Sequence, residues 1–211
     1  MNAKSSDFLA EVAGYYSAKL AEHGETPRGV DWNGEESQLR RFEQLSKIIG
    51  PPNGFSVNDL GCGYGAMLEY LDSRYNGVTY GGFDVSNDMI SAARKRYGSR
   101  SNAFFAVSAQ PSDTADYGIA SGIFNVRLAC NDVEWWKHIT VTLDVLNRTS
   151  RLGFSFNCLT SYSDGDKMRD YLYYADPCVL FDLCKRRYSR SVALLHDYDL
   201  YEFTILVRKQ P

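Results

Sequence analysis

One stretch limits the possible folds of this chain more than any other: Val57-Asn58-Asp59-Leu60-Gly61-Cys62-Gly63-Tyr64-Gly65. Phe55 to Leu60 reads as a strand, and a helix is predicted from about Ala66 to Tyr75. Between them lie three glycines at alternate positions. Glycine lets the backbone turn into the left-handed region and lets a ligand approach the main chain closely. A strand that breaks into a glycine turn and feeds a helix is the opening unit of an α/β sheet. Taken alone, such a turn also suits a purely structural role or a nucleotide site of another kind.

The alternation continues. Strands are predicted at Val78–Asp84, Ala103–Val107, Tyr117–Ala120 and Leu152–Asn157, with helices at Asn87–Tyr97 and Val133–Asn147. Asp176-Pro177 reads as an N-cap followed by proline at the first helical position, opening a helix to about Arg187. Ser191–His196 and Tyr201–Val207 are two strands joined too tightly for a parallel crossover, so they form an antiparallel pair. The expectation is a Rossmann-like, seven-stranded, mostly parallel sheet with one antiparallel strand and helices on both faces. Two amphipathic segments, about 6–22 and Glu35–Ile49, precede this alternation; the second is stopped by Gly50-Pro51-Pro52. They have no place in the basic sheet. Residues 1–50 are therefore assigned to a helical lid and 51–211 to the core, as one domain overall.

Composition narrows the function. The net charge of −3 and the lack of a basic stripe disfavour nucleic acid as a partner. Arg94-Lys95-Arg96 and Lys185-Arg186-Arg187 read as solvated helix faces. No segment is apolar enough for a membrane span, and Met1 to Asp7 lacks the apolar core of a secretory signal. The five cysteines are odd in number and form no CxxC pair, so no disulfide framework or metal cluster is expected, and a cytoplasmic location fits. Cys62, inside the glycine turn, reads as a small filler.

Three features give the glycine turn chemical meaning. Asp59 stands at the strand's end, where a buried carboxylate needs a cation or several donors. Tyr80-Gly81-Gly82-Phe83-Asp84 ends the next strand in a second acid, which can accept both hydroxyls of a ribose. Asp116-Tyr117-Gly118-Ile119-Ala120-Ser121-Gly122 supplies a third strand with a small-residue exit. In order, these resemble class I S-adenosylmethionine-dependent methyltransferases over about residues 35–209. Asp59 to Gly65 matches that family's D/E-x-G-x-G-x-G motif. More narrowly, the chain is similar to small bacterial methyltransferases of the trans-aconitate-methyltransferase type. The resemblance implies S-adenosylmethionine as cofactor, held by Asp59, Gly61, Cys62, Gly63, Gly65, Asp84, Val85, Ser108, Ser121 and Gly122. It also implies a small-molecule acceptor methylated on oxygen or nitrogen. No Asn-Pro-Pro-Tyr-like signature for nucleobase or glutamine amino groups occurs. One departure stands out: an acid often follows the third strand, near the adenine amino group, whereas here the chain reads Val107-Ser108-Ala109-Gln110.

Two other readings compete. Gly61-x-Gly63-x-x-Ala66 also fits a nicotinamide dinucleotide fingerprint. Asp59 would then add negative charge beside a pyrophosphate, and the chain has little room for a separate substrate domain. A non-catalytic cofactor-binding protein on the same fold is the third reading.

Other residues are acceptor or lid candidates. Gln38 and Arg41 share a helix face, and Arg41 is expected to pair with a carboxylate of cofactor or acceptor. Arg28 and Trp32 in the lid loop, Phe124, Asn125 and Asn157, and Tyr162 after the fifth strand, where the resemblance implies the acceptor pocket, are candidate acceptor contacts. His196, in the last strand turn, and Tyr16 are the candidate catalytic groups. His138 reads as a packing or surface residue, and His23 as a helix-end cation.

Overall fold

The computed structural model describes the backbone of residues 3–50 and 53–209, with side chains from Phe8 onward. Met1, Asn2, Pro51 and Pro52 lie outside it, so the readings of the N-terminal leader and of the Pro51-Pro52 helix stop lie wholly or partly beyond the described residues.

The chain begins with helix α1 (Ala3–His23), a 3-10 turn at Pro27–Val30 and α2 (Glu35–Ser46). The alternating part follows as β1 (Ser56–Leu60), α3 (Ala66–Asp72), β2 (Thr79–Asp84), α4 (Asn87–Tyr97), β3 (Ala103–Val107) and β4 (Ala115–Ala120). Then come α5 (Asp132–Arg148), β5 (Ser150–Thr160), β6 (Tyr174–Ala175), α6 (Pro177–Arg187), β7 (Ser191–Leu195) and β8 (Glu202–Arg208). Side-chain caps explain where three helices start. Ser86 accepts from Met89 N, Asn131 from Glu134 N, and Asp176 from Cys178 N and Val179 N. Each relieves orphan donors of a first turn.

The strands lie in the order β3-β2-β1-β4-β5-β8-β7, and β8 alone runs antiparallel to its neighbours. The sheet has eight strands, not the expected seven. The extra one, β6, is two residues long and pairs parallel with Leu159 and Thr160. It exists because β5 extends three residues past the predicted end at Asn157, beyond its pairing with β4, which stops at Phe156. The added stretch would otherwise leave an unpaired edge.

Two apolar layers hold the sheet. Leu45, Leu68, Ile90 and Ile119 belong to the layer under α2, α3 and α4. Trp135, Ile139, Leu143, Phe154, Phe156 and Leu180 belong to the layer under α5 and α6. No described helix lies between β3 and β4, and Phe104 on β3 is accordingly 55% exposed. No described helix is long and apolar enough to cross a membrane.

The N-terminal helices occupy different places. Phe42, Leu45 and Ile48 of the α2 segment are buried in the core, while Leu39, expected in the same stripe, is 41% exposed. Helix α1 instead crosses the carboxyl ends of the strands. Phe8 meets the rings of Trp135 and His138, and Ser17 Oγ lies 3.0 Å from Ser86 Oγ at the β2–α4 junction.

Candidate active site

The glycine turn is built from its backbone. Gly61 N and Cys62 N both donate to Phe83 O, at 2.7 and 3.1 Å, which ties the turn to the end of β2. Gly61 and Gly63 have φ of 77° and 54°, which only glycine adopts without strain. A Cβ on Gly61 would lie 2.1 Å from Ile123 Cγ2. Gly65 has a different role. It opens α3, and a Cβ there would press on the Tyr97 ring at 2.9 Å, so it serves helix packing. Cys62 is buried beside the turn, and burial pushes its thiol well above the ordinary range. The thiol is thereby held neutral at the cavity wall.

The two strand-end acids differ in their partners. Asp59 is 2% exposed; its Oδ2 accepts from Tyr80 Oη, and its Oδ1 has no partner among the described residues. Desolvation pushes its carboxyl up to about 7, against the lowering effect of the tyrosine bond, and neighbouring Asp84 adds to the rise. Asp84 is half-buried. Its Oδ2 accepts from Gly63 N at 2.9 Å and its Oδ1 from Ser86 N at 2.8 Å. Burial raises its pKa, opposed by those backbone donors.

Both acids line one cavity at the carboxyl ends of β1, β2 and β4. Gly61, Cys62, Gly63, Val85, Ser108, Ser121, Gly122, Tyr16 and Trp32 line it too, so the structure brings together most of the expected cofactor set. Ser121 Oγ, like Asp59 Oδ1, is buried there with no partner among the described residues. Burial, then nearby carboxylates, push the Tyr16 phenol upward. The side chain is thereby held as the neutral phenol.

A buried polar belt closes the lid side. Arg41 Nε donates to both Glu202 oxygens at 3.0 and 2.9 Å, and its Nη2 to Oε1 at 2.7 Å. Asn157 Nδ2 donates to Glu202 Oε2 at 2.6 Å, and Gly122 N donates to Asn157 Oδ1 at 2.7 Å. The Arg41 guanidinium stacks on the Trp32 ring, 3.8 Å from its centroid. The same indole lies against Gly122, where a Cβ would be 2.5 Å from it. Belt and indole thus tie α2 and the lid loop to β4, β5 and β8.

Several expected contacts fall elsewhere. Arg41 is not free for a ligand carboxylate, because Glu202 takes its fork. Asn157 is inside the belt. Asn125 accepts from Leu159 N at 3.1 Å and braces β5, while Phe124 is buried in the core and its carbonyl accepts from Trp135 Nε1. Arg28 is exposed in an outer groove behind Trp32. Tyr162 is 68% exposed, its ring 6.0 Å from that of His196, which is itself exposed and outside the cavity. His196 thus faces solvent beyond the strand ends.

Sequence reasoning missed four contributors. Glu202 opens β8 and lies 161 residues from its partner Arg41. Tyr80 reads as an ordinary strand residue, yet it holds Asp59. His138 and Thr142 of α5 line the cavity, and burial lowers the His138 imidazole to about 4. The spacing of four residues within one helix was the available signal for the last pair.

Over residues 57–152 the chain matches the family described as a methyltransferase domain. A protein named "Putative methyltransferase Rv1506c", from Mycobacterium tuberculosis (strain ATCC 25618 / H37Rv), is 65% identical over 163 residues, covering 77% of this chain and 98% of that protein. Among solved structures, the N-methyltransferase NodS from Bradyrhizobium japonicum WM9, in complex with S-adenosyl-l-homocysteine, superposes with a TM-score of 0.66 at 15% identity, covering 94% of this chain and 98% of that one. Magnesium protoporphyrin IX methyltransferase ChlM from Synechocystis PCC 6803, with bound SAM, gives 0.65 at 13%, covering 95% and 97%. At such identities the structural likeness is one of fold. The chain belongs to the methyltransferase family. Its fold is that of the class I, S-adenosylmethionine-dependent members, and the family, through the 65% identical relative, sets aside the oxidoreductase reading.

Proposed function

We propose that this enzyme transfers the methyl group of S-adenosylmethionine to an oxygen or nitrogen of a small-molecule acceptor in the cavity under α1. The observation that carries the reading is Asp59 Oδ1, a buried carboxylate oxygen at the cavity wall with no partner among the described residues. A cationic ligand group there would relieve its desolvation, and the ammonium of a methionine moiety is such a group. Asp84, held by two backbone donors, fits the ribose hydroxyls. The left-handed glycines let the turn lie against Ile123 and Val30 and keep its backbone at the cavity wall.

The cofactor supplies a methyl carbon already activated by its sulfonium, so a nucleophile displaces a thioether. The chain's own residues need only position and shield. Trp32 and α1 exclude water, Tyr16 offers a phenolic donor, and Ser121 Oγ a second polar contact. The described lining contains two acids and no lysine or arginine. With both acids engaged by the cofactor, the described lining offers no cation to pair a polyanion of the trans-aconitate kind, which favours a neutral or amine acceptor with an apolar body.

The test is a turnover assay with S-adenosylmethionine and matched panels of neutral, amine and polycarboxylate acceptors, read by mass spectrometry. Methylation confined to neutral or amine acceptors is expected. Preferred methylation of polycarboxylates would contradict the acceptor class, and no consumption of cofactor with any acceptor would argue against the reaction.

A further inference from the structure

The third-strand exit carries no acid, yet a buried base needs partners for its polar edge. Ser108 cannot supply one freely, because its hydroxyl donates to Gln110 O at 2.7 Å, and Gln110 is exposed. Given the cofactor reading above, stereochemistry fixes where such partners must stand. Methionine and base leave a ribose from opposite ends. With Asp59 at the methionine end and Asp84 at the ribose, the base lies in the cavity beyond Asp84.

That part of the cavity is traceable from contacts. Ser108 N donates to Asp84 O at 2.9 Å, which sets Ser108-Ala109 beside the ribose acid. Val85, Ala109 and Ile123 give apolar walls, and Leu9 and Val12 of α1 line the cavity as well. Ile123 adjoins Phe124, whose ring is 6.2 Å from His138, and Leu9 adjoins Phe8, whose ring is 5.0 Å from it. His138 therefore lines the cavity from its α5 side, close to the Phe8 end of α1. Thr142 lies one turn further along α5 on the same face. Both line the cavity, and neither side chain makes a hydrogen bond among the described residues. The aromatic surroundings keep the imidazole neutral, with its pKa near 4, so one ring nitrogen is free to accept.

We propose that His138 and Thr142 form the edge that reads the adenine. The imidazole accepts from the 6-amino group, and the threonine hydroxyl donates to a ring nitrogen. Two neutral groups on α5 thereby replace an acid after β3.

Calorimetry with S-adenosylhomocysteine and its purine analogue lacking the 6-amino group tests this, using wild type, His138→Phe, His138→Gln and Thr142→Val. In wild type, loss of the amino group should weaken binding about tenfold, the usual scale of one buried hydrogen bond left unmade. In His138→Phe the two ligands should differ less than about twofold, a coupling that isolates the pair. His138→Leu serves equally if the larger ring is not accommodated. His138→Gln keeps an acceptor and should keep the tenfold gap. Thr142→Val should weaken both ligands alike. An undiminished gap in His138→Phe or His138→Leu overturns the inference. Wild-type protein that binds both ligands equally overturns it while sparing the cofactor reading, and wild-type protein that binds neither overturns both.

Discussion

Along α2, six of twelve residues are buried, whereas along α1 from Phe8 to His23 only Val12 is. Both segments precede the first strand and both look amphipathic. One is part of the core and the other is a cover. The difference lies in what holds them. Arg41 of α2 sits in a buried fork with Glu202, and Ser155 Oγ donates to Leu45 O at 2.9 Å. Helix α1 is held by partly exposed contacts: Tyr15 Oη to Asp31 at 2.6 Å, Lys19 to Asp31 at 2.9 Å, and Ser17 to Ser86. Such contacts contribute little individually. A cover that must admit a ligand belongs at this weak end of the stability range.

The largest effect should come from breaking the strong side of that contrast. Arg41→Ala leaves Glu202 buried without its cation and should cost about 3–5 kcal/mol in urea unfolding. The double variant Arg41→Met, Glu202→Leu should recover most of it, since a well-packed apolar pair is often as stable. A loss below about 1 kcal/mol in the single variant would put α2 in the same class as α1.

Acid should loosen the α1 side next. His138, against Phe8, has a folded pKa of about 4, below its ordinary 6.5. Between those values the unfolded chain binds the extra proton. Stability therefore falls as pH drops from 6.5 to 4, by up to about 3 kcal/mol. Asp59 has the opposite sign. Its folded pKa of about 7 exceeds 3.8, so its contribution is present at low pH and lost as pH rises toward 7. His138→Phe removes the first slope and leaves the second. Unfolding curves at several pH values would show it, and an unchanged acid slope in the variant would refute the assignment.

Asp84→Asn should weaken S-adenosylhomocysteine binding by about 1–3 kcal/mol, and should cost about 1 kcal/mol of stability as well, because the amide can accept from only one of the two backbone donors. The smallest effect belongs to Ser17→Ala, which removes one hydrogen bond from α1. It should cost about 0.5–1.5 kcal/mol of local opening, seen as faster hydrogen exchange in α1 while the global midpoint barely moves.

What could be read from the sequence follows the same division. Asp59, the glycines, Asp84 and the β4 exit fall at ends of consecutive strands, so order along the chain stood in for geometry. Asp176-Pro177 announced α6 because a cap is a local event. The belt was not local. Nothing near Arg41 points to Glu202, and a buried ion pair reads in sequence like any surface charge. Asn157 and Asn125 read in sequence as candidate ligand contacts, yet Asn157 lies inside β5 and bonds Glu202, and Asn125 braces Leu159, because a polar side chain near a strand end can hold protein groups as readily as touch substrate. The eighth strand escaped because a two-residue pairing has no periodicity. His138 was taken for packing, which is half its environment; its open edge depends on α1 and β4, far off in the chain.

The central claim is that a buried, partnerless Asp59 seats the ammonium of S-adenosylmethionine. Calorimetric titration with S-adenosylhomocysteine at pH 6 and pH 8, with NAD as the counter-ligand, tests it most directly. A carboxyl with pKa about 7 that must ionise to bind predicts roughly tenfold tighter binding at pH 8, with proton release on binding at pH 6 and no binding of NAD. Affinity for S-adenosylhomocysteine that is flat across that range, or binding of NAD in its place, would contradict the account.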